Sequence, residues 1–393
     1  MAQKTQNSKG GIKLILLKIL LIVFCCFNYA HALEPIKIGV SLSLTGDFKA
    51  YSDDQKKGFQ LWEKEINERG GILGREVRVI IKDNQSDTKK AQKDYEEFIT
   101  KDKVDFLFGP YSSLIAEAVF PITEKYDFLI FSTGASADSI WEKGYRNVVG
   151  LLPVSSKRTL SFLELLLENG IDSIGIISAD DPHSVAIAKG SKLNAERLGL
   201  KVVTFEIFQK GTRDLKKYAQ KARDNEVKAL IVCGLLIEAI DMRKAMKSIN
   251  WYPTAYYGSG GVVSKKYYET LGNDANLSFG FSLFEKTSGL PGAKEFYMKY
   301  KTFFGEEPSF HSALAYSGGQ ILESAITKVG SINRKKVRDM IFSMDIITIS
   351  GRFSVDKTGR KLGHHLFLIQ WQNNEKKIIK PDSLKNSKAI FKN

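Results

Sequence analysis

Cysteine is nearly absent from this chain. The three it has are Cys25, Cys26 and Cys233. The first two sit in a leader-like opening segment, and Cys233 stands alone in the apolar run Ala229-Leu230-Ile231-Val232-Cys233. With the leader gone no internal disulfide and no cysteine-based zinc site can form. A lone thiol in such a run reads as a core residue. Histidine is scarce as well, with five in the chain. His31 belongs to the leader, and those at 183, 311, 364 and 365 form no H-E-x-x-H motif. His364-His365 reads as a solvent-exposed turn pair, because further metal ligands are missing around it. Neither a G-x-S-x-G nucleophile elbow nor a G-x-x-x-x-G-K-S/T phosphate loop occurs. These absences argue against an enzyme, a bound metal and a cofactor.

A membrane-length apolar run is missing too. The longest, Leu14 to Phe27, is broken by Lys18 and is short for a span. Lys4, Lys9 and Lys13 precede it, and Ala30-His31-Ala32 follows it with small residues at the −3 and −1 positions of a cut before Leu33. A positive front, a short apolar centre and an A-x-A exit define residues 1–32 as a cleavable signal peptide. Bulky Phe24 ahead of Cys25 argues against lipoprotein processing. The remainder is expected in the periplasm.

The chain is basic, with a formal charge of +14, part of it in the leader lysines. The other lysines alternate with acids along helical stretches such as Lys89-Lys90 and Lys216-Lys217. No Arg-rich block interleaved with aromatics is present, so the charge reads as solvated helix faces and not as a nucleic-acid surface. A composition of 43% hydrophobic and 26% charged residues is ordinary for a globular protein.

Short β-branched runs alternate with longer helical patterns. Ile36–Ser43, Val77–Lys82, Asp105–Phe108 and Phe128–Ser132 read as strands, with helices at Gly58–Arg69, around Ala91–Ile99 and at Ser113–Tyr126. The rhythm restarts after Pro153 with a helix Arg158–Glu168. Strands then fall at Ser173–Ile177, Val202–Phe208 and Ala229–Cys233, between helices Val185–Leu198, Leu215–Asn225 and Ile237–Ile249. Such alternation predicts two doubly wound α/β lobes with parallel sheets. Three helices and three short strands follow from Ala293 to Trp371, with a hairpin-type turn at Asp356–Arg360. Residues beyond Lys380 read as a frayed tail.

Open α/β sheets bind ligands where strands end and loops enter helices. In the first lobe those loops are Leu44–Ser52, Gly109–Ser113 and Thr133–Ser139, rich in Ser, Thr, Gly and Tyr. Gly109-Pro110-Tyr111-Ser112-Ser113 leads into a helix, whose amide groups and dipole favour an anion such as a carboxylate. Ser112 or Ser113 can equally serve as the helix cap.

Several segments then line up with one family. Ile36-Lys37-Ile38-Gly39-Val40, Ser43-Leu44-Thr45-Gly46 and Ile66-Asn67-Glu68-Arg69-Gly70-Gly71-Ile72-Leu73-Gly74 come in order. Asp83–Asp87, Gly109–Ser113, Phe131–Ser136 and Gly351-Arg352-Phe353 follow. The ordered set resembles the leucine/isoleucine/valine-type periplasmic binding proteins, the solute receptors of ABC importers, over residues 35–372. The resemblance implies the type I Venus-flytrap fold, two lobes joined by a three-crossover hinge. Its lobes would be residues 33–153 plus 285–347 and 154–284 plus 348–393. It also implies a monomer that closes on an amino acid or related small carboxylate and docks on a membrane permease. A same-fold receptor that feeds a signalling protein is the alternative.

By the same resemblance Ser113 and the Gly134-Ala135-Ser136 element hold the ligand's carboxylate and amine, and Tyr51 covers it. His183 stands where amino-acid binders carry a Tyr. Gly260 stands where they carry the acid that accepts the α-ammonium, so either Asp180, Asp181 or Glu238 replaces it or the ligand lacks an α-amino group. Glycines 258, 260 and 261 suggest room for a bulkier guest, with Tyr51, Tyr111, Trp141 or Phe281 able to stack on it.

Overall fold

The computed structural model describes residues 33–362 and 366–392. Residues 1–32, where a signal peptide is expected, with Cys25 and Cys26, and the pair His364-His365 lie outside the described residues. Among those described, no helix is long and apolar enough to cross a membrane.

The first sheet is built from β1 (Ile36–Leu42), β2 (Val77–Asp83), β3 (Phe106–Phe108), β4 (Ile130–Ser132) and β5 (Val148–Gly150), in the order β2-β1-β3-β4-β5. All its pairings are parallel. Strand β1 is an interior strand hidden on both faces: Ile36, Ile38, Val40 and Leu42 enter one core, while Gly39 and Ser41, also buried, alternate with them. The crossovers are α1 (Lys49–Glu68), α2 (Thr88–Thr100), α3 (Ser113–Lys125) and the short α4 (Asp138–Glu142).

Helix α1 begins nine residues earlier than the apolar spacing suggested. Its first turns bury Ser52 and Gln55, not hydrophobic side chains. Ser52 Oγ accepts from the Ser43 amide at 3.1 Å and Gln55 donates to the Thr133 carbonyl at 2.6 Å, so polar contacts hold this end. Gly58, read as the helix start, lies mid-helix, where a Cβ would collide with the Ser312 carbonyl.

The second sheet uses α5 (Leu160–Glu168), β6 (Ser173–Ala179), α6 (Pro182–Arg197), β7 (Lys201–Phe208), α7 (Lys216–Asp224), β8 (Ala229–Cys233) and α8 (Leu236–Ser248). It continues with β9 (Ala255–Gly258), α9 (Lys265–Leu271) and β10 (Ser278–Ser282). The chain then returns to the first sheet as α10 (Ala293–Phe304), α11 (Phe310–Val329) and α12 (Arg334–Ser343), followed by the hairpin β11 (Ile346–Thr348) and β12 (Gly351–Phe353). Trp62 and Phe59 of α1 share one core with Tyr300, Leu322 and Ile341 of these late helices. Finally β13 (Phe367–Gln372) and β14 (Glu375–Lys380) close the second sheet in the order β14-β13-β10-β9-β8-β6-β7, antiparallel at that edge. The chain thus passes between the sheets after β5, after β10 and after β12.

Two expectations change here. The third passage lies beyond Leu366 rather than at 347/348. Phe353, Val355 and Leu366 belong to the first core, and the Gly150 amide donates to the Gly359 carbonyl at 2.8 Å. The C-terminal tail is not frayed either. Gln370 bonds both the amide and the carbonyl of Ile390, at 2.9 and 2.6 Å, and Phe391 packs on Phe279.

Candidate functional site

The carboxyl ends of β3 and β4 face the start of α6 and the loop before α8 across a gap. The enclosed part of the gap is about 40 Å³, room for a few waters, so the two walls stand nearly shut on each other. Tyr111 runs beside Gly134 as a parallel bridge, and a Cβ at Gly134 would lie 2.7 Å from the Tyr111 ring. Only glycine allows that approach. Ser112 caps α3 with a φ of +109°, a conformation that L residues avoid. That turn directs Tyr111, Ser112 and Ser113 to one wall of the gap.

Ser113 is buried, and its oxygen accepts from the amides of Ser136 and Ala137, both at 3.1 Å. The hydroxyl therefore fixes the 134–137 loop, with its own proton left to donate. Ser136 is one step behind the wall. Its oxygen lies 3.0 Å from Ser155 Oγ and accepts from the Arg158 guanidinium at 2.7 Å. His183, in the first turn of α6, places Nδ1 3.0 Å from Ser155 Oγ and 3.5 Å from Ser136 Oγ.

Of the residues expected at the site, Tyr111, Ser112, Ser113, Gly134 and His183 line the gap. Ala135 is fully buried beneath it. Tyr51 does not lie over an open space. It stacks on Tyr111 with ring centres 4.9 Å apart, and its hydroxyl accepts from the Leu236 amide at 3.1 Å, joining α1 to α8. Burial pushes that hydroxyl up to about 12. Gly260 does not line the gap: a Cβ there would lie 2.4 Å from the Gly234 carbonyl oxygen, leaving no space for a side chain. Gly258 and Gly261 are filled in the same way by Val262 and Leu236, so these glycines make no room for a guest. Trp141 packs against Gly150, and Phe281 lies beneath Arg158, so neither is a free stacking face.

The replacement acids are also engaged. Asp181 caps α6 by accepting from the Ser184 amide and hydroxyl at 3.1 and 2.6 Å. Asp180 accepts from the Lys210 amide, and Glu238 from the Leu235 amide. Only Asp181 of the three borders the gap.

Sequence reasoning missed Arg158 and His311. Arg158 is 8% exposed, lies 4.3 Å over the Phe281 ring, and among the described residues has no carboxylate within 4.0 Å. Burial pulls its guanidinium down to about 10, still cationic at neutral pH. His311, in the first turn of α11, sets its ring edge-on to Tyr51 and Tyr111, at 5.2 and 5.3 Å, and its Nδ1 is buried without a partner. Burial, then the Arg158 charge, then His183, takes His311 down to about 3. Burial and Arg158 hold His183 well below the usual imidazole range. Both rings are neutral at pH 7. The single sequence cue to Arg158 was its place just after the first passage between sheets.

The wall therefore offers one buried cation, hydroxyl protons, a helix N-terminus and two neutral imidazoles. Such a set can hold an anion. Among the described residues no three His, Cys, Asp or Glu side chains are placed to hold a metal ion.

Known proteins agree with this architecture. The sequence pattern of the family described as "Periplasmic binding protein" matches residues 35–376. The Leu/Ile/Val-binding protein homolog 7 of Brucella suis is 24% identical over 373 residues, covering 90% of this chain and 93% of that one. The branched-chain amino acid transporter substrate binding protein LivJ of Streptococcus pneumoniae, solved with isoleucine, superposes with a TM-score of 0.79. It is 23% identical and covers 88% of this chain and 100% of its own. A solute binding protein of an ABC transporter from R. palustris, solved with benzoate, gives a TM-score of 0.78 at 15% identity, over 87% of this chain and 94% of its own. These relatives are binding proteins, not enzymes, and the fold is theirs. The chain belongs to the periplasmic binding protein family.

Proposed function

We propose that this protein is the extracytoplasmic solute receptor of an ABC importer, and that it closes over a small carboxylate, an amino acid or a related acid, in the gap between its two sheets. One observation carries the reading: a nine-tenths buried guanidinium, Arg158, borders that gap with no carboxylate in ion-pair contact, the Asp138 charge acting on it only from farther off. A buried cation without a counter-charge is costly, and an incoming anion offsets the cost. The Ser113 hydroxyl and the start of α3 face the same space and add donors suited to a carboxylate.

The two neighbours solved with isoleucine and with benzoate share a carboxylate in their ligands, and only isoleucine carries an amine. Closure fits a fold whose chain passes three times between two sheets, each with its own core. The moving units would be residues 33–153 with 285–366, and 154–284 with the segment from Phe367 onward. The leader would deliver the receptor to the periplasm, where it would act as a monomer and meet its permease in the membrane.

A melting-point screen of the mature protein against amino acids and aromatic and aliphatic carboxylates tests this. A ligand at a hundred times its Kd adds about 2.7 kcal/mol to the folded state, a clear rise in Tm. Small-angle scattering should then show contraction. A screen in which no carboxylate raises Tm, or tight binding without contraction, refutes the proposal.

A further inference from the structure

We propose that the gap selects carboxylates without an α-ammonium, with Arg158 as the residue that takes the carboxylate. The inference rests on the receptor reading above and narrows it. Its basis is the charge that borders the gap. Two cations, Arg158 and Lys210, face one acid, Asp181, and two imidazoles. With the imidazoles neutral, one positive charge stays unmatched, and a monoanion cancels it. A zwitterion leaves that excess in place and brings an ammonium beside a buried guanidinium.

The donor inventory says the same. An ammonium needs acceptors, yet Ser113 Oγ already accepts from two amides and Ser136 Oγ from Arg158, which leaves His311 Nδ1 as the unpartnered side-chain atom among them. Each Asp181 oxygen accepts one bond from Ser184, which holds the carboxylate as the cap of α6 and leaves it further lone pairs. Arg158, by contrast, has five N–H groups and one protein acceptor, Ser136. Its fork is suited to a bidentate carboxylate. Beyond the guanidinium the walls are the Tyr111 ring, Phe48, Phe310 and His311, with Phe310 and His311 rings 3.9 Å apart. An aromatic or branched aliphatic tail fits that lining.

Calorimetry on matched pairs provides the test: 3-phenylpropanoate against phenylalanine, and 4-methylpentanoate against leucine. The amine-free member of at least one pair should bind tenfold or more tightly than its partner. Tighter binding of either amino acid overturns the selectivity while leaving the receptor reading intact. If no member of any pair binds, the receptor reading of the gap falls and the inference falls with it.

Arg158→Gln separates a ligand contact from a structural role. It should weaken the preferred carboxylate by tenfold or more while the ligand-free Tm stays level or rises, because a buried unmatched charge has gone. A variant with full affinity, or one whose ligand-free Tm collapses, rejects Arg158 as the carboxylate's partner. Arg158→Lys should restore only part of the affinity, since a point charge cannot make the paired contact.

Discussion

His311→Phe should flatten the pH dependence of stability. In the unfolded chain the imidazole titrates at about 6.5, whereas in the folded protein burial and the Arg158 charge take it down to about 3. Its folded pKa is depressed, so its contribution is whole above the unfolded value and is lost as pH falls toward the folded one. Between pH 7 and pH 5 the unfolded ring takes up a proton that the folded ring refuses, a loss of about 2 kcal/mol. Asp54 works in the opposite sense. Burial raises its carboxyl to about 6, so it regains about 1 kcal/mol over the same interval as the folded form is protonated first. The wild-type slope is therefore a sum of opposed contributions, and only its difference from the variant isolates the ring. Phenylalanine suits the site because Nδ1 has no partner to lose and the neighbours are Phe310, Tyr51 and Tyr111. Urea unfolding of both proteins at pH 7 and pH 5, without ligand, gives the four free energies. Wild type should lose about 2 kcal/mol more than the variant on acidification. Equal losses would show that the ring is protonated in the folded protein at pH 5, and that His311 is not the neutral wall described above.

Ser113→Ala removes the acceptor of two buried amides, those of Ser136 and Ala137. It should lower the unfolding free energy by about 2 kcal/mol, which urea titration reads directly; an unchanged midpoint would show that the hydroxyl does not hold the loop. Combining it with Ser136→Ala should weaken calorimetric affinity for the bound carboxylate by more than about 1 kcal/mol, and undiminished affinity rejects this wall as the anion site. Tyr51→Phe leaves the Leu236 amide without its acceptor. Since that bond joins helices of different sheets, the variant should release ligand several-fold faster in stopped-flow displacement, and an identical off-rate would separate the bond from closure.

Fold class was legible because the central strands are buried on both faces. Ile36–Leu42, apolar at every second position, and the apolar run Ala229–Cys233 read as strands, and their limits in the structure fall within a residue of those expected. Strands β9 and β10 escaped notice: Ala-Tyr-Tyr-Gly and Ser-Phe-Gly-Phe-Ser lack that signature, and they become strands because both neighbours in the sheet demand pairing. The start of α1 was hidden for a related reason, its buried face being carried by Ser52 and Gln55. Polar groups satisfied by distant backbone leave no periodic trace.

Site residues divide along the same line. Tyr111, Ser113 and Gly134 follow from local geometry, a strand end entering a helix and a glycine that lets two loops touch. Arg158 could not be found that way. In a chain with 58 lysines and arginines one more cation carries no signal. What sets it apart is a relation that exists only in three dimensions: many of the others pair with acids at the surface, as Lys49 does with Asp53 and Arg69 with Glu323, while Arg158 is buried with a hydroxyl and a phenyl ring for company. Those two contacts recover only part of the cost of removing a guanidinium from water. The fold keeps the remainder as an unmet demand for negative charge, and it does so beside the first passage between the sheets. An anion seated in the gap would be bordered from both sides of that passage, by Ser113 on one and by Arg158 and His183 on the other. On the proposed function, binding and closure would then be linked by the same contacts, since a ligand favours the closed form only through interactions that the open form lacks.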